Sequence, residues 1–141
     1  MRHRKSGKKI GRTQGQRRAL FKNLIQALIF NEEIKTTESK AKAIKRLVDK
    51  LISKAKKNTL HATRQILAFL PDKKAAFKLI KELAPRFKRS SGFTKLTRLG
   101  KRTGDQAMIV RLEFVDRKPK EEKVSKSRKG KADNKRAILK H

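Results

Sequence analysis

Cysteine, tryptophan and tyrosine are absent from this 141-residue chain. Without cysteine there is no disulfide framework, no thiolate nucleophile and no cysteine-based zinc or iron–sulfur site. The aromatic residues are seven Phe. Stacking platforms for splayed bases are therefore scarce, and a single-strand reader of the RRM or OB type does not fit. No run of about 18 apolar residues occurs, so no membrane-spanning helix is expected. The opening MRHRKSGKKIGR has the charge of a signal-peptide n-region. The apolar stretch behind it is broken by Lys22, Asn23 and Gln26, and no small-residue cleavage site follows. Acidic residues are also short: 12 Asp+Glu face 42 Lys+Arg, a formal net charge of +30. So small a body with that charge repels itself and needs a polyanion in its working state. RNA, DNA, an anionic membrane surface or an acidic protein meets that need by charge alone.

The charge is unevenly spread. Residues 1–18 hold eight basic and no acidic residues, 19–116 hold 23 and nine, and 117–141 hold eleven and three. The first stretch has almost nothing to bury: after Met1 its only large aliphatic is Ile10, and Gly7, Gly11 and Gly15 add backbone freedom. It cannot offset its own ordering entropy, so it is expected to be disordered alone. The low-complexity sequence KPKEEKVSKSRKGKADNKR near the C-terminus reads the same way. Three parts are expected: a basic arm at 1–12, a globular domain at 13–116 and a basic tail at 117–141.

Within the middle part, Thr13 and Gln16 have capping-box spacing. Behind them Leu20, Phe21, Leu24, Ile25, Leu28 and Ile29 cover nearly two faces of a helix, which predicts a central helix ending near Asn31. Glu33–Thr37 alternates and is β-branched, as a short strand should be. Thr36 or Thr37 then caps a second helix with the stripe Ala41, Ile44, Leu47, Val48, Leu51, Ile52 and Ala55. Its opposite face carries Lys42, Lys45, Arg46, Lys50, Lys54 and Lys57, read here as an ordinary solvated face. A third helix starts at Asn58 or Thr59, with apolar Leu60, Ile66, Leu67 and Leu70, and is broken by Pro71. Asp72 caps a fourth, with Ala76, Leu79, Ile80 and Leu83 on its buried side, which Pro85 is expected to end. Beyond Pro85 the period changes to two: Phe93–Leu99 and Met108–Val115 alternate around a loop at Gly100–Asp105. That pattern predicts an antiparallel hairpin. The fold class is therefore α+β, about four helices packed on a small sheet of the hairpin plus the 33–37 strand.

Catalysis finds little support. His3, His61 and His141 are far apart in sequence. Glu32–Glu33 and Glu121–Glu122 are adjacent pairs, and sequence neighbours on a helix or strand seldom face each other, so they make poor acid–base dyads. Phosphate-cradling glycine motifs and a serine nucleophile elbow are missing. No enzyme activity, cofactor, metal or small-molecule substrate is expected. Nucleic-acid binding fits the charge better. Seven cations and no acid lie between Arg86 and Arg102. Recognition of backbone and shape suits such a side-chain set. A histone-like DNA-binding architectural protein, with a basic arm in the minor groove, shares this charge pattern.

Motifs favour RNA. Met1-Arg2-His3-Arg4, Gly11-Arg12-Thr13 and Arg17-Arg18-Ala19-Leu20 occur in order. They are followed by Glu33-Ile34-Lys35-Thr36-Thr37 with Lys40-Ala41-Lys42, then Ala55-Lys56-Lys57 with Leu60-His61-Ala62-Thr63-Arg64. Last comes Leu99-Gly100-Lys101-Arg102-Thr103-Gly104-Asp105-Gln106-Ala107. Over about residues 1–116 the chain resembles the bacterial-type large-subunit ribosomal protein seventeen family. The resemblance implies an α+β protein bound to large-subunit (23S-type) ribosomal RNA near the polypeptide exit region, beside other large-subunit proteins, with a structural and assembly role and no membrane. It implies RNA contacts at Arg2, His3, Arg4, Lys5, Lys8, Lys9, Arg12, Arg17 and Arg18 of the arm and helix start, and at Lys95, Arg98, Lys101 and Arg102 of the hairpin. The family's opening motif starts at Met1, which leaves no room for an organelle transit peptide; a bacterial cytoplasm is expected.

Overall fold

The computed structural model describes residues 9–116. Most of the basic arm, including Arg2, His3, Arg4, Lys5 and Lys8, and the whole 117–141 tail lie outside the described residues.

Three of the helices start where a local cap satisfies orphan N–H groups, whereas Thr37, the N-cap of the helix that begins at Glu38, makes no side-chain cap hydrogen bond. Helix α1 spans Gln14–Asn31, and the N–H of its N-cap Thr13 donates to Gln16 Oε1 at 3.3 Å, one arm of a capping box. It ends at Glu32, in the left-handed region at φ 60°, whose N–H donates to the Leu28 carbonyl. Strand β1 is Glu33–Thr37 and helix α2 is Glu38–Lys56. Helix α3, Leu60–Phe69, is capped by Thr59, which accepts from the Ala62 N–H at 3.2 Å. Helix α4, Lys73–Lys78, is capped by Asp72, which accepts from the Lys74 N–H at 2.8 Å.

Pro85 does not end the fourth helix. Past Lys78 the chain opens into a π-helical turn, Leu79–Leu83, and then closes into a last α-turn, α5, at Ala84–Arg86. The Ala84 N–H reaches back five residues to the Leu79 carbonyl. A proline has no N–H and its ring collides with the carbonyl four residues earlier. The widened turn just before it accommodates both defects, and helical geometry continues through Pro85.

The sheet orders its strands β1-β3-β2, with β2 at Thr94–Lys101 and β3 at Met108–Phe114, all antiparallel. β3 is central and places Val110, Leu112 and Phe114 on the helix-covered face, all buried. Phe87 stacks edge-on against Phe93 and Phe114, with centroids 5.2 and 5.6 Å apart. Such pairs contribute about 0.5–1.5 kcal/mol beyond the area they bury.

The helix at the centre of the core is α2, not α1. It buries Ala41, Ile44, Val48, Leu51, Ile52 and Ala55, and it packs on α1, α3, the π turn, α5 and the sheet. In α1 deep burial is confined to Ile25, Leu28 and Ile29; Phe21 and Leu24 only pack against the core edge. The N-terminal half of α1 thus runs past the body it starts from. Leu60, counted in the α3 stripe, is exposed, and Ala62 and Ile66 carry the burial instead.

Candidate nucleic-acid interface

Two groups of the cations singled out above fall within the described residues. The first surrounds the entry to α1. Residues Lys9–Arg12 form a tight turn in which the Arg12 N–H donates to the Lys9 carbonyl at 3.3 Å. Ile10 and Gly11 sit at φ 55° and 59°. That geometry suits glycine but strains a β-branched residue. Arg17, half-buried, donates from Nη1 to the carbonyls of Lys9 at 3.5 Å and Arg12 at 3.4 Å. Its guanidinium therefore ties the turn to the helix. Lys9, Arg12 and Arg18 are exposed.

The second group lies on the hairpin. Lys95 projects from the face of β2 away from the helices, opposite Glu113. A β-bulge at Leu99 then shifts the register: Arg98 pairs with Val110, but Gly100 pairs with Ile109. The extra residue re-aims everything behind it. It reverses the alternation expected at Lys101, which now lies opposite Met108 on the side of the core face. Gly100, at φ 135°, supplies the backbone conformation that the bulge needs. Beyond the bulge Arg102 forms a two-pronged pair with Asp105, Nε to Oδ1 at 3.1 Å and Nη2 to Oδ2 at 2.5 Å. Arg102 hydrogen bonding, then the Ala107 backbone N–H, holds the Asp105 carboxyl down at about 2. The same bond raises Arg102 above its ordinary value. Arg102 therefore stiffens the hairpin tip while leaving its outer edge exposed.

Arg98 reaches from β2 to the start of α2, where its Nη2 lies 3.0 Å from Glu38 Oε1. Lys42 Nζ contacts the same oxygen at 2.8 Å. Hydrogen bonds from Lys42 and then Arg98 hold the Glu38 carboxyl below its ordinary value. The hairpin cations are thereby joined to the cationic face of α2. That face carries Lys42, Arg46, Lys50 and Lys54 at four-residue spacing, with Asp49 the one acid among them in sequence. The outer face of the sheet differs in character, since Lys35, Lys95 and Arg111 there stand among Glu33 and Glu113.

Of the acids and histidines weighed above for catalysis, His3, Glu121, Glu122 and His141 lie outside the described residues. Glu32 accepts two bonds from Arg86, at 2.9 and 3.1 Å, and both side chains are less than a fifth exposed. Asp49 accepts from the Phe93 N–H at 3.3 Å. His61 is exposed beside Gln65. Among the described residues there is no cluster of three or more His, Asp or Glu that could hold a metal ion, and no helix long and apolar enough to cross a membrane.

Comparison with known proteins gives this basic surface a context. The family model described as ribosomal protein L17 matches residues 20–115. The large ribosomal subunit protein bL17 of Desulfosudis oleivorans is 44% identical over 127 residues, covering 89% of this chain and 61% of that protein. Its counterpart in Thermodesulfovibrio yellowstonii is 45% identical over 131 residues, 92% of this chain and 98% of the relative. The Geobacter sulfurreducens protein of the same name is 41% identical over 129 residues, 91% of this chain and 73% of the relative. The chain thus spans less than two thirds of the first relative and nearly all of the second. The family is one of ribosomal structural proteins, not of enzymes. Because the match runs from Leu20, the first large apolar residue of α1, through both strands of the hairpin, this chain belongs to the ribosomal protein L17 family.

Proposed function

We propose that this chain is a structural component of the large ribosomal subunit in a bacterial cytoplasm, where it binds and stabilises large-subunit (23S-type) ribosomal RNA near the polypeptide exit region, alongside neighbouring large-subunit proteins. The observation that carries this reading is the distribution of charge. Glu32, Asp49 and Asp72 are engaged in a cap and internal bonds, while Lys9, Arg12, Arg18, Lys95 and Lys101 are exposed. The relatives are large-subunit proteins by name. The arm residues Arg2, His3, Arg4, Lys5 and Lys8 act with Lys9, Arg12 and Arg18 on the phosphate backbone. Arg98, Lys101 and Arg102 present the hairpin to the same RNA. Arg17 contributes by fixing the turn from which the arm departs. Electrostatic binding of this kind weakens with salt, by about 0.7–0.9 in the log–log slope per phosphate contacted.

Sedimentation of a low-salt lysate tests the proposal: the protein should travel with the large subunit. If it runs only among free proteins, the proposal fails. Competition between ribosomal RNA fragments and duplex DNA separates it from a DNA-architectural role, which a clear preference for DNA would favour. A density map of the intact particle tests the exit-region placement.

A further inference from the structure

The exposed face of α2 carries cations at positions 42, 46, 50 and 54, all solvent-exposed. Their spacing of four residues puts them in one slowly winding row, about 18 Å from first to last at 1.5 Å per residue. Like charges at this spacing destabilise a helix unless something opposes them. Glu38 opposes only the first, Lys42. The other acid of this helix, Asp49, is turned inward to the Phe93 N–H. Ser53 within the row and Ser39 just before it, both exposed, add hydroxyl donors suited to phosphate oxygens. From Arg46 to Lys54, about 12 Å at 1.5 Å per residue, the rule is broken without such an acidic partner, which points to an external counter-charge.

At its N-terminal end the row does not stop at the helix. One oxygen of Glu38 holds both Lys42 and Arg98, so the hairpin and α2 present their cations side by side. We propose that Arg98, Lys42, Arg46, Lys50 and Lys54 form one continuous track that seats the phosphate backbone of a ribosomal RNA helix, with Glu38 as the joint between hairpin and helix. The track is a second RNA-binding surface beside the arm, and it rests on the reading that the chain binds ribosomal RNA. An RNA backbone is favoured over an acidic protein by the regular row of single charges, by the intervening hydroxyls and by the absence of exposed large apolar residues along α2 that would anchor a protein partner.

The test uses the full chain and deproteinised bacterial large-subunit ribosomal RNA, with Kd measured across a KCl series. Arg46→Gln/Lys50→Gln should lower the magnitude of the log–log salt slope by about 1.4–1.8, and weaken binding roughly 10- to 30-fold at 0.15 M salt. Lys73→Gln/Lys74→Gln removes the same charge from α4 and should leave the slope unchanged. Arg98→Gln removes the hairpin's cation from the track and should lower the magnitude of the slope by about 0.7–0.9. Far-ultraviolet circular dichroism and Tm confirm that each variant is folded. If Arg46→Gln/Lys50→Gln binds like wild type while Arg12→Gln/Arg18→Gln is weakened, the track is overturned but RNA binding stands. An equal loss in the α4 control also overturns it, because net charge alone then explains the effect. An unchanged slope in Arg98→Gln disconnects hairpin from helix and overturns the continuous track. Wild-type protein that binds no RNA overturns the functional reading itself.

Discussion

The Glu32–Arg86 pair locks three parts of the fold together, so its removal tests the reasoning about the core edge. Glu32 ends α1 in a left-handed conformation, and its backbone carbonyl accepts from the Phe114 N–H at 3.2 Å. Arg86 ends the helical rod and also donates to the Asp116 carbonyl at 3.4 Å. The side chains are 15% and 18% exposed, so water reaches them but does not screen them as it would at the surface. Hydrogen bonds to charged groups contribute about 1.5–3 kcal/mol each, and removing one partner of a fully buried pair costs about 3–5 kcal/mol. Partial exposure places Glu32→Gln and Arg86→Gln lower, at about 2 kcal/mol each. Gln keeps the length of Glu32 and its left-handed backbone, so the change isolates the charge. For a domain of this size 1 kcal/mol is roughly 4–8 °C in Tm. Each single variant should therefore melt about 8–16 °C lower. A double-mutant cycle by urea denaturation should return a coupling near 2 kcal/mol. A coupling below about 0.5 kcal/mol would place the pair among ordinary surface ion pairs and refute the argument.

Four further outcomes follow from the same geometry. Ile52→Ala, at a fully buried site of α2, should cost about 2–5 kcal/mol in denaturant unfolding, and Leu24→Ala on the half-buried flank of α1 clearly less. Gly100→Ala should destabilise by about 1–3 kcal/mol through backbone strain alone, because φ is 135° and no atom lies within 4 Å of the added Cβ; a Tm equal to wild type would contradict this. Asp105 binds its proton more weakly when folded than the ordinary value of 3.8, so its contribution is present above that value and is lost as pH falls toward 2; a carboxyl titration by NMR should show a midpoint near 2. Deleting residues 1–12 should weaken binding to large-subunit ribosomal RNA far more than deleting 125–141 and leave the helical signal largely intact; equal losses would contradict the charge-density argument.

Much of this protein is readable from its residues alone. The caps at Thr13, Thr59 and Asp72, the strand at Glu33–Thr37 and the start of the hairpin are local. Each depends on hydrogen bonds or periodicity spanning a few positions, and these signals survive without the rest of the fold. The excess of Lys and Arg, and the family motifs that carry the resemblance, are equally visible in one dimension. Tertiary structure decided what depends on distant partners. The second helix became the hub because the sheet and four other helical segments all press on it, which its stripe alone cannot announce. Helical geometry passes through Pro85 because a π turn upstream relieves the clash. A bulge at Leu99 turns Lys101 to the other face, since strand register is set by the opposing strand and not by the alternation of one. Glu38 brings Arg98 beside Lys42 across 56 positions of sequence. Charge is additive along a chain, but the surface it makes is a matter of which side chains the fold places next to one another.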